Sequence, residues 1–378
     1  MTAASEVERR RLGECFAALC RVYSPSRAER ACAELVRGEL AGLGVEVSED
    51  KAARAIGGDC GNLLARLPGS GPGSLLFCAH MDTVPAAAPI QPVLRDGGWE
   101  NENDAILGAD NKTAVAVLLA LARRLVAEPA ESTVELLFTV GEEVGLLGAK
   151  EFETGVLRSH IGYTLDASMP IGAIVIASPT YYRVGAELRG VASHAGVSPE
   201  LGRSAILAAA RGIARMQLGR IDRETTANIG TIEGGSAANV VPDRCRILGE
   251  ARSVDGDRAQ EVASAMVACL ADAANDPECE CDLDVTVERE CDGYRIRSTA
   301  PELVLVSNAL RDLGYTPELA ASGGASDANA LRSKGCAVLN LGNGTEHPHE
   351  PDERVSVEAL EGTLDLALAL VDRAGAAG

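Results

Sequence analysis

No apolar stretch of the chain approaches the roughly 18 residues that a membrane-spanning helix needs, and the N-terminus shows no basic segment followed by an apolar one. A membrane span and a secretory leader are therefore not expected, and the sequence reads as a soluble, cytoplasmic protein. Positive charge is also short: 35 lysines and arginines stand against 55 aspartates and glutamates, a formal net charge of -20. Such a surface repels polyphosphate backbones and anionic lipid, so neither nucleic acid nor a membrane is an expected partner. There is no C-x-x-C pair among the 11 scattered cysteines. Their odd number, with no leader, points to reduced and mostly buried thiols rather than a disulfide framework or a sulfur-ligated metal. Repeats and low-complexity segments are absent as well.

What is there suffices for two domains, since 378 residues exceed the size at which single cores stop growing. Helix-period apolar positions in "VERRRLGECFAALCRVY" and "RAERACAELVRGELAGLG" predict two helices broken by "SPS". Apolar strand-like runs then alternate with helices, as in "SLLFCAH", "KTAVAVLLALARRLV", "TVELLFTV" and "IGYTLDAS". That alternation predicts an α/β catalytic domain, a mixed sheet flanked by helices, over residues 1–178 and again over 292–378. Between them, residues 179–291 change style. "TYYRVGAELRG" and "RCRILGEARSV" alternate polar with apolar, and "SAILAAARGIARM" is amphipathic, so an inserted α+β domain is expected there.

The chain has only five histidines, and "FCAHMDTVP" places His80 two positions before Asp82 at the end of an apolar run. Four further stretches put metal-binding side chains at strand ends or in the loops that follow: "GADN" (Asp110), "GEEVG" (Glu142, Glu143), "LDAS" (Asp166) and "EHPHEPDE" (His347, His349). In an open α/β sheet function collects at the carboxyl ends of strands, so these residues can converge. Imidazole with carboxylate suits zinc, cobalt or manganese and not calcium. Each piece has an ordinary alternative: a hydrogen-bonded core histidine for His80, and a solvated helix start for Glu142 and Glu143.

The ordered set "AHMDTVP", "LGADNKTAVAVLL", "FTVGEEVGLLGAK", "YTLDAS", "SHAGVSPELGRSAI", "NVVPD", "EARS", "GGASDANAL" and "LGNGTEHPHEPDERV" resembles the M20 metallopeptidases, in particular their peptidase T-like branch, from about residue 10 onward. The resemblance implies two zinc ions per chain, with cobalt or manganese as substitutes. His80 and Asp166 would bind one, Glu143 and His349 the other, and Asp110 both; His347 is the alternative to His349. It implies a cis peptide bond before Asn111, where many relatives carry a second aspartate. It also implies that Asp82 orients the His80 imidazole and that Glu142 is the general base acting on a metal-bridging water. In dimeric members the histidine of the "HAG" motif, here His194, reaches the partner's site to stabilise the oxyanion. Asn239 and Arg252 would anchor substrate, with Ser326 and Asp327 as contacts from the glycine-rich loop.

The function so implied is an aminopeptidase of the tripeptidase type, cleaving short peptides and forming a homodimer through the inserted lid domain. The same residues serve two alternatives: an N-acyl-amino-acid deacylase, desuccinylase or carboxypeptidase of the superfamily, and a non-catalytic metal-binding member.

Overall fold

Ser5 opens the first helix, α1 (Glu6–Cys20), with a capping box in which its amide donates to Glu8 Oε2 at 2.8 Å. The computed structural model describes residues 3–376. α1 buries Leu12, Phe16 and Leu19, and α2 (Arg30–Gly42) buries Cys32, Val36 and Leu40. α3 (Ala109–Ala127) is buried on nearly every side because it packs on both the central sheet and α1. α4 (Val357–Ala376) closes the chain and also packs on α3.

The described residues form two compact units, one from the chain up to Ile176 with Ile296–Ala321 and Ser326 onward, the other from Ala177–Arg295 with Ser322–Ala325. The strands β1 (Val47–Glu49), β2 (Leu63–Leu67), β3 (Ser74–His80), β4 (Thr133–Thr139), β5 (Ile161–Ala167), β6 (Ala173–Ser178, its last two residues counted with the second unit) and β7 (Ala337–Gly342) form the mixed sheet of the first. Their order is β1-β2-β4-β3-β5-β7-β6. The β4-β3, β3-β5 and β5-β7 pairs are parallel, whereas β1-β2, β2-β4 and β7-β6 are antiparallel. All seven residues of β4 are buried, which explains why the central strands read as continuous apolar runs rather than alternating ones. The fold is the expected mixed α/β architecture, and the parallel set brings four carboxyl ends to one edge of the sheet.

The second unit has an antiparallel sheet in the order Gly219–Arg220, Thr225–Gly234, Arg244–Ser253, Thr180–Arg189, Asp282–Cys291. Strand Arg244–Ser253 alternates exposed with buried residues, as a sheet covered on one face requires. Leu188, Ile247 and Leu270 join the helices Ala205–Arg215 and Gly256–Ala274 to that face. The cysteines are buried thiols in both units, Cys269 alone being half-buried, with no disulfide among the described residues.

Candidate active site

β3 ends on His80, β4 feeds the loop that carries Glu142 and Glu143, and Asp166 is the penultimate residue of β5. Because β3, β4 and β5 run parallel, these side chains meet at one rim. Asp110 arrives from the start of α3, after Gly108 turns the chain at φ 76° and before a cis Asp110–Asn111 bond. His349 comes from the loop after β7.

His80 is buried, and its Nε2 lies 3.1 Å from Asp110 Oδ1 and 3.3 Å from Asp166 Oδ1. His349 Nε2 lies 2.9 Å from Glu143 Oε1 and 3.4 Å from Asp110 Oδ2. Two donor groups result, His80–Asp110–Asp166 and Asp110–Glu143–His349, each with ligand atoms within 4.8 Å of one another and with Asp110 in both. Glu142 forms a third such group with His80 and Glu143. His347 stands apart: its Nδ1 pairs with Asp352 Oδ2 at 2.6 Å, in an exposed cluster with Glu350.

Asp82 lies just beyond β3. The nearer acceptor for His80 Nδ1 is the Asp82 carbonyl at 2.9 Å, with its Oδ1 at 3.4 Å. The Asp82 carboxylate accepts from Ser26 Oγ at 2.7 Å, and from the amides of Glu142 and Glu143 at 3.0 and 3.1 Å. It thus ties the histidine to the loop of the two glutamates. Asn111, at the position noted for its missing charge, donates through Nδ2 to Asp166 Oδ1 at 2.7 Å. An amide there fixes Asp166, which a second carboxylate would repel.

The electrostatics are those of crowded carboxylates. Burial, with Asp110 and Asp327 nearby, pushes Asp166 up to about 7 against the pull of His80. Burial, together with Asp166, Asp327 and Glu143, also raises Glu142 well above the usual carboxylate range, although His80 opposes it. Asp110 goes the other way: burial would raise it, but hydrogen bonds to His349 and His80 hold it below the ordinary range. Those bonds to Asp110 and Glu143 lift His349 to about 10. Four carboxylates and two imidazoles packed this closely fit the donor set of first-row divalent metals, whose charge would neutralise the cluster.

The remaining residues singled out in the sequence are positioned as follows. His194 and Asn239 lie in the second unit on exposed neighbouring loops, joined by Ala195 N to Asn239 O at 2.9 Å and Val241 N to Ser193 O at 2.9 Å. Arg252 stacks 4.3 Å from the centre of the Tyr181 ring, and Glu250 holds its Nε and Nη2 at 3.0 Å each. Its Nη1 donates to Gly323 O at 3.2 Å. Ser326 and Asp327 belong to the first unit, where Ser326 N donates to Asn329 Oδ1 at 3.1 Å. Asp327 is buried, bonded through Oδ2 to Thr139 Oγ1, with Oδ1 unpartnered.

Two glutamates that sequence reasoning passed over also belong here. Buried Glu353 accepts from Leu107 N and Gly108 N through Oε2, at 2.8 and 2.7 Å, and from Asp110 N through Oε1 at 2.8 Å. Glu29 accepts from Gly141 N at 2.9 Å. Glu353 lies within "LGNGTEHPHEPDERV" and Glu29 within "RAERACAELVRGELAGLG", outside every motif of the family resemblance, and only contacts across the fold reveal what either one holds.

The model of peptidase family M20/M25/M40 matches residues 76–373. Among solved structures, the aminopeptidase PepT of Bacillus cereus ATCC 10987 is 37% identical, with 97% of this chain and 98% of that one covered and a TM-score of 0.88. A tripeptidase of Staphylococcus aureus is 32% identical, with 97% and 99% covered and a TM-score of 0.92. The uncharacterized protein YqjE of Bacillus subtilis is 35% identical over 97% of this chain and 99% of its own. The chain belongs to peptidase family M20/M25/M40. Within it the chain falls in the peptidase T-like branch, and it is a metallopeptidase.

Proposed function

We propose that the protein is a dinuclear metal-dependent aminopeptidase acting on short peptides, tripeptides foremost. The observation that carries this is the shared position of Asp110 between two ligand groups, His80–Asp166 on one side and Glu143–His349 on the other. Zinc is the metal the donor set suits best, with cobalt or manganese as substitutes. Bound there, the two ions would supply Lewis acidity, polarising the scissile carbonyl and making water acidic enough to give up a proton near neutral pH.

The chain's own groups do the rest. Glu142 accepts the proton of the attacking water and hands it to the leaving amine nitrogen. Asp82 keeps the His80 ring and the Glu142–Glu143 loop in one arrangement. His194, offered to a partner subunit, donates to the developing oxyanion, which makes the second unit a lid and dimer interface. Arg252, with Asn239 and Ser326, anchors the peptide. With Nε and Nη2 engaged by Glu250 and Nη1 by Gly323 O, the guanidinium is already oriented toward a substrate carboxylate. Among the described residues no helix is long and apolar enough to cross a membrane, in keeping with a cytoplasmic peptidase.

A second reading has support in an acetylornithine deacetylase of Myxococcus xanthus, 28% identical over 86% of this chain and 87% of its own. It keeps the site and takes N-acyl amino acids. Leucyl-glycyl-glycine, N-acetyl and N-succinyl amino acids tested side by side, before and after chelation, separate the two. Metal-dependent release of leucine supports the aminopeptidase, and cleavage of the acyl compounds alone overturns it.

A further inference from the structure

Gly141, Glu142 and Glu143 present three successive backbone amides, and each meets a buried carboxylate. Asp82 takes the second and third, at 3.0 and 3.1 Å. Glu29, 112 positions away in sequence, takes the first at 2.9 Å. Gly141 stands at φ 62°, a left-handed conformation that glycine tolerates best, two residues beyond the end of β4.

Glu29 occupies the N-cap of α2, yet its side chain makes no capping bond to that helix. It is fully buried, and Oε1 accepts from both Arg27 N, at 2.8 Å, and Gly141 N. Oε2 is buried with no hydrogen-bond partner. A buried carboxyl that leaves its own helix uncapped and one oxygen unsatisfied is poorly suited to stabilising the fold. Its one long-range bond is to the residue preceding Glu142.

We propose that Glu29 is a positioning residue for Glu142: its Oε1 fixes the Gly141 amide and thereby the point from which the general base reaches its proton. This rests on the reading of Glu142 as the base. It requires an acceptor at one distance and no charge, which two substitutions separate. Glu29→Gln keeps an Oε1 that accepts the same two amides, with its NH2 where the unpartnered oxygen was. Glu29→Asp keeps the carboxylate but is one methylene too short to reach Gly141.

The experiment measures kcat, KM, metal content and melting temperature for wild type and both variants, zinc-loaded, on leucyl-glycyl-glycine. The expected result is Glu29→Gln within about threefold of wild-type kcat and Glu29→Asp lower by about 10²-fold, the scale of a 1 Å misplacement. KM and metal content stay unchanged, because Asp82 still holds Glu143. Equal kcat in the two variants, or an active Glu29→Asp beside an impaired Glu29→Gln, overturns the role of Glu29 while leaving Glu142 as base. A zinc-loaded wild type that cleaves no amide removes the role of Glu142 and this one with it.

Discussion

His349 Nε2 lies 2.9 Å from Glu143 Oε1 across 206 positions of sequence, while His347, two residues away, pairs with Asp352 instead. The second donor group is therefore closed by His349. His349→Ala should lower the retained metal by about one ion per chain, whereas His347→Ala should leave it unchanged. Elemental analysis after dialysis distinguishes the two, and equal loss in both would contradict the assignment.

Asp110, Glu142, Glu143 and Asp166 crowd one rim, so removal of the cations should leave repulsion that the fold must bear. Chelation should lower the melting temperature, and zinc should restore it. Each ion is expected to contribute about 2.7 kcal/mol at a hundredfold excess over its Kd. Calorimetry with and without chelator reads this directly; an unchanged transition would mean that no cation is held.

Glu142→Ala removes the proposed proton carrier and leaves intact the two proposed ligand groups that share Asp110. Turnover should fall by about 10²–10⁴-fold, the usual contribution of a positioned general base. Metal content should match wild type. A variant with full kcat would show that another group takes the proton.

Glu353 uses both oxygens, Oε2 toward Leu107 and Gly108 and Oε1 toward Asp110. Glu353→Gln sets an NH2 against at least one backbone N–H, so it should cost about 1–3 kcal/mol of stability. It should also weaken metal binding through Asp110. Urea unfolding with a zinc titration tests both effects. Glu29→Gln, by contrast, is expected to be mild, because only one oxygen of Glu29 is in use.

Away from the site, Arg124 holds Glu8 through two hydrogen bonds, at 2.5 and 2.6 Å, and lowers its carboxyl from 4.5 to about 2. A carboxyl depressed in the folded state stabilises above its unfolded pKa, and that contribution is lost as pH falls from about 4.5 toward about 2. Glu8 is partly exposed, so the gain is about 1 kcal/mol or less. Glu8→Gln should melt below wild type at neutral pH, and the gap should narrow steadily toward pH of about 2. A gap independent of pH would count against the ion pair.

Much of the fold can be read from periodicity. Buried parallel strands show as apolar runs such as "SLLFCAH" and "TVELLFTV", and the half-covered sheet of the second unit shows as alternation in "RCRILGEARSV". These patterns are local, because a strand's burial is written in its own side chains. The donor residues are legible too, since imidazole and carboxylate at strand ends stand out against apolar runs. Of the residues that hold donors in place, only Asp82 is, through the family resemblance. Glu29 and Glu353 look like any solvated glutamate, and Asn111 reads as a missing charge rather than as the donor that fixes Asp166.

By itself, then, the sequence determined the architecture, the family and the kinds of atom offered to a metal, because secondary structure and side-chain chemistry depend on neighbours a few residues apart. The family resemblance already implied that Asp110 belongs to both donor groups; only the tertiary structure decided between His349 and His347 as the partner of Glu143, and that Glu29 and Glu353 accept the amides of the loops they hold. Those are contacts between segments tens to hundreds of residues apart, and which of several equivalent side chains makes them is set by packing rather than by sequence spacing.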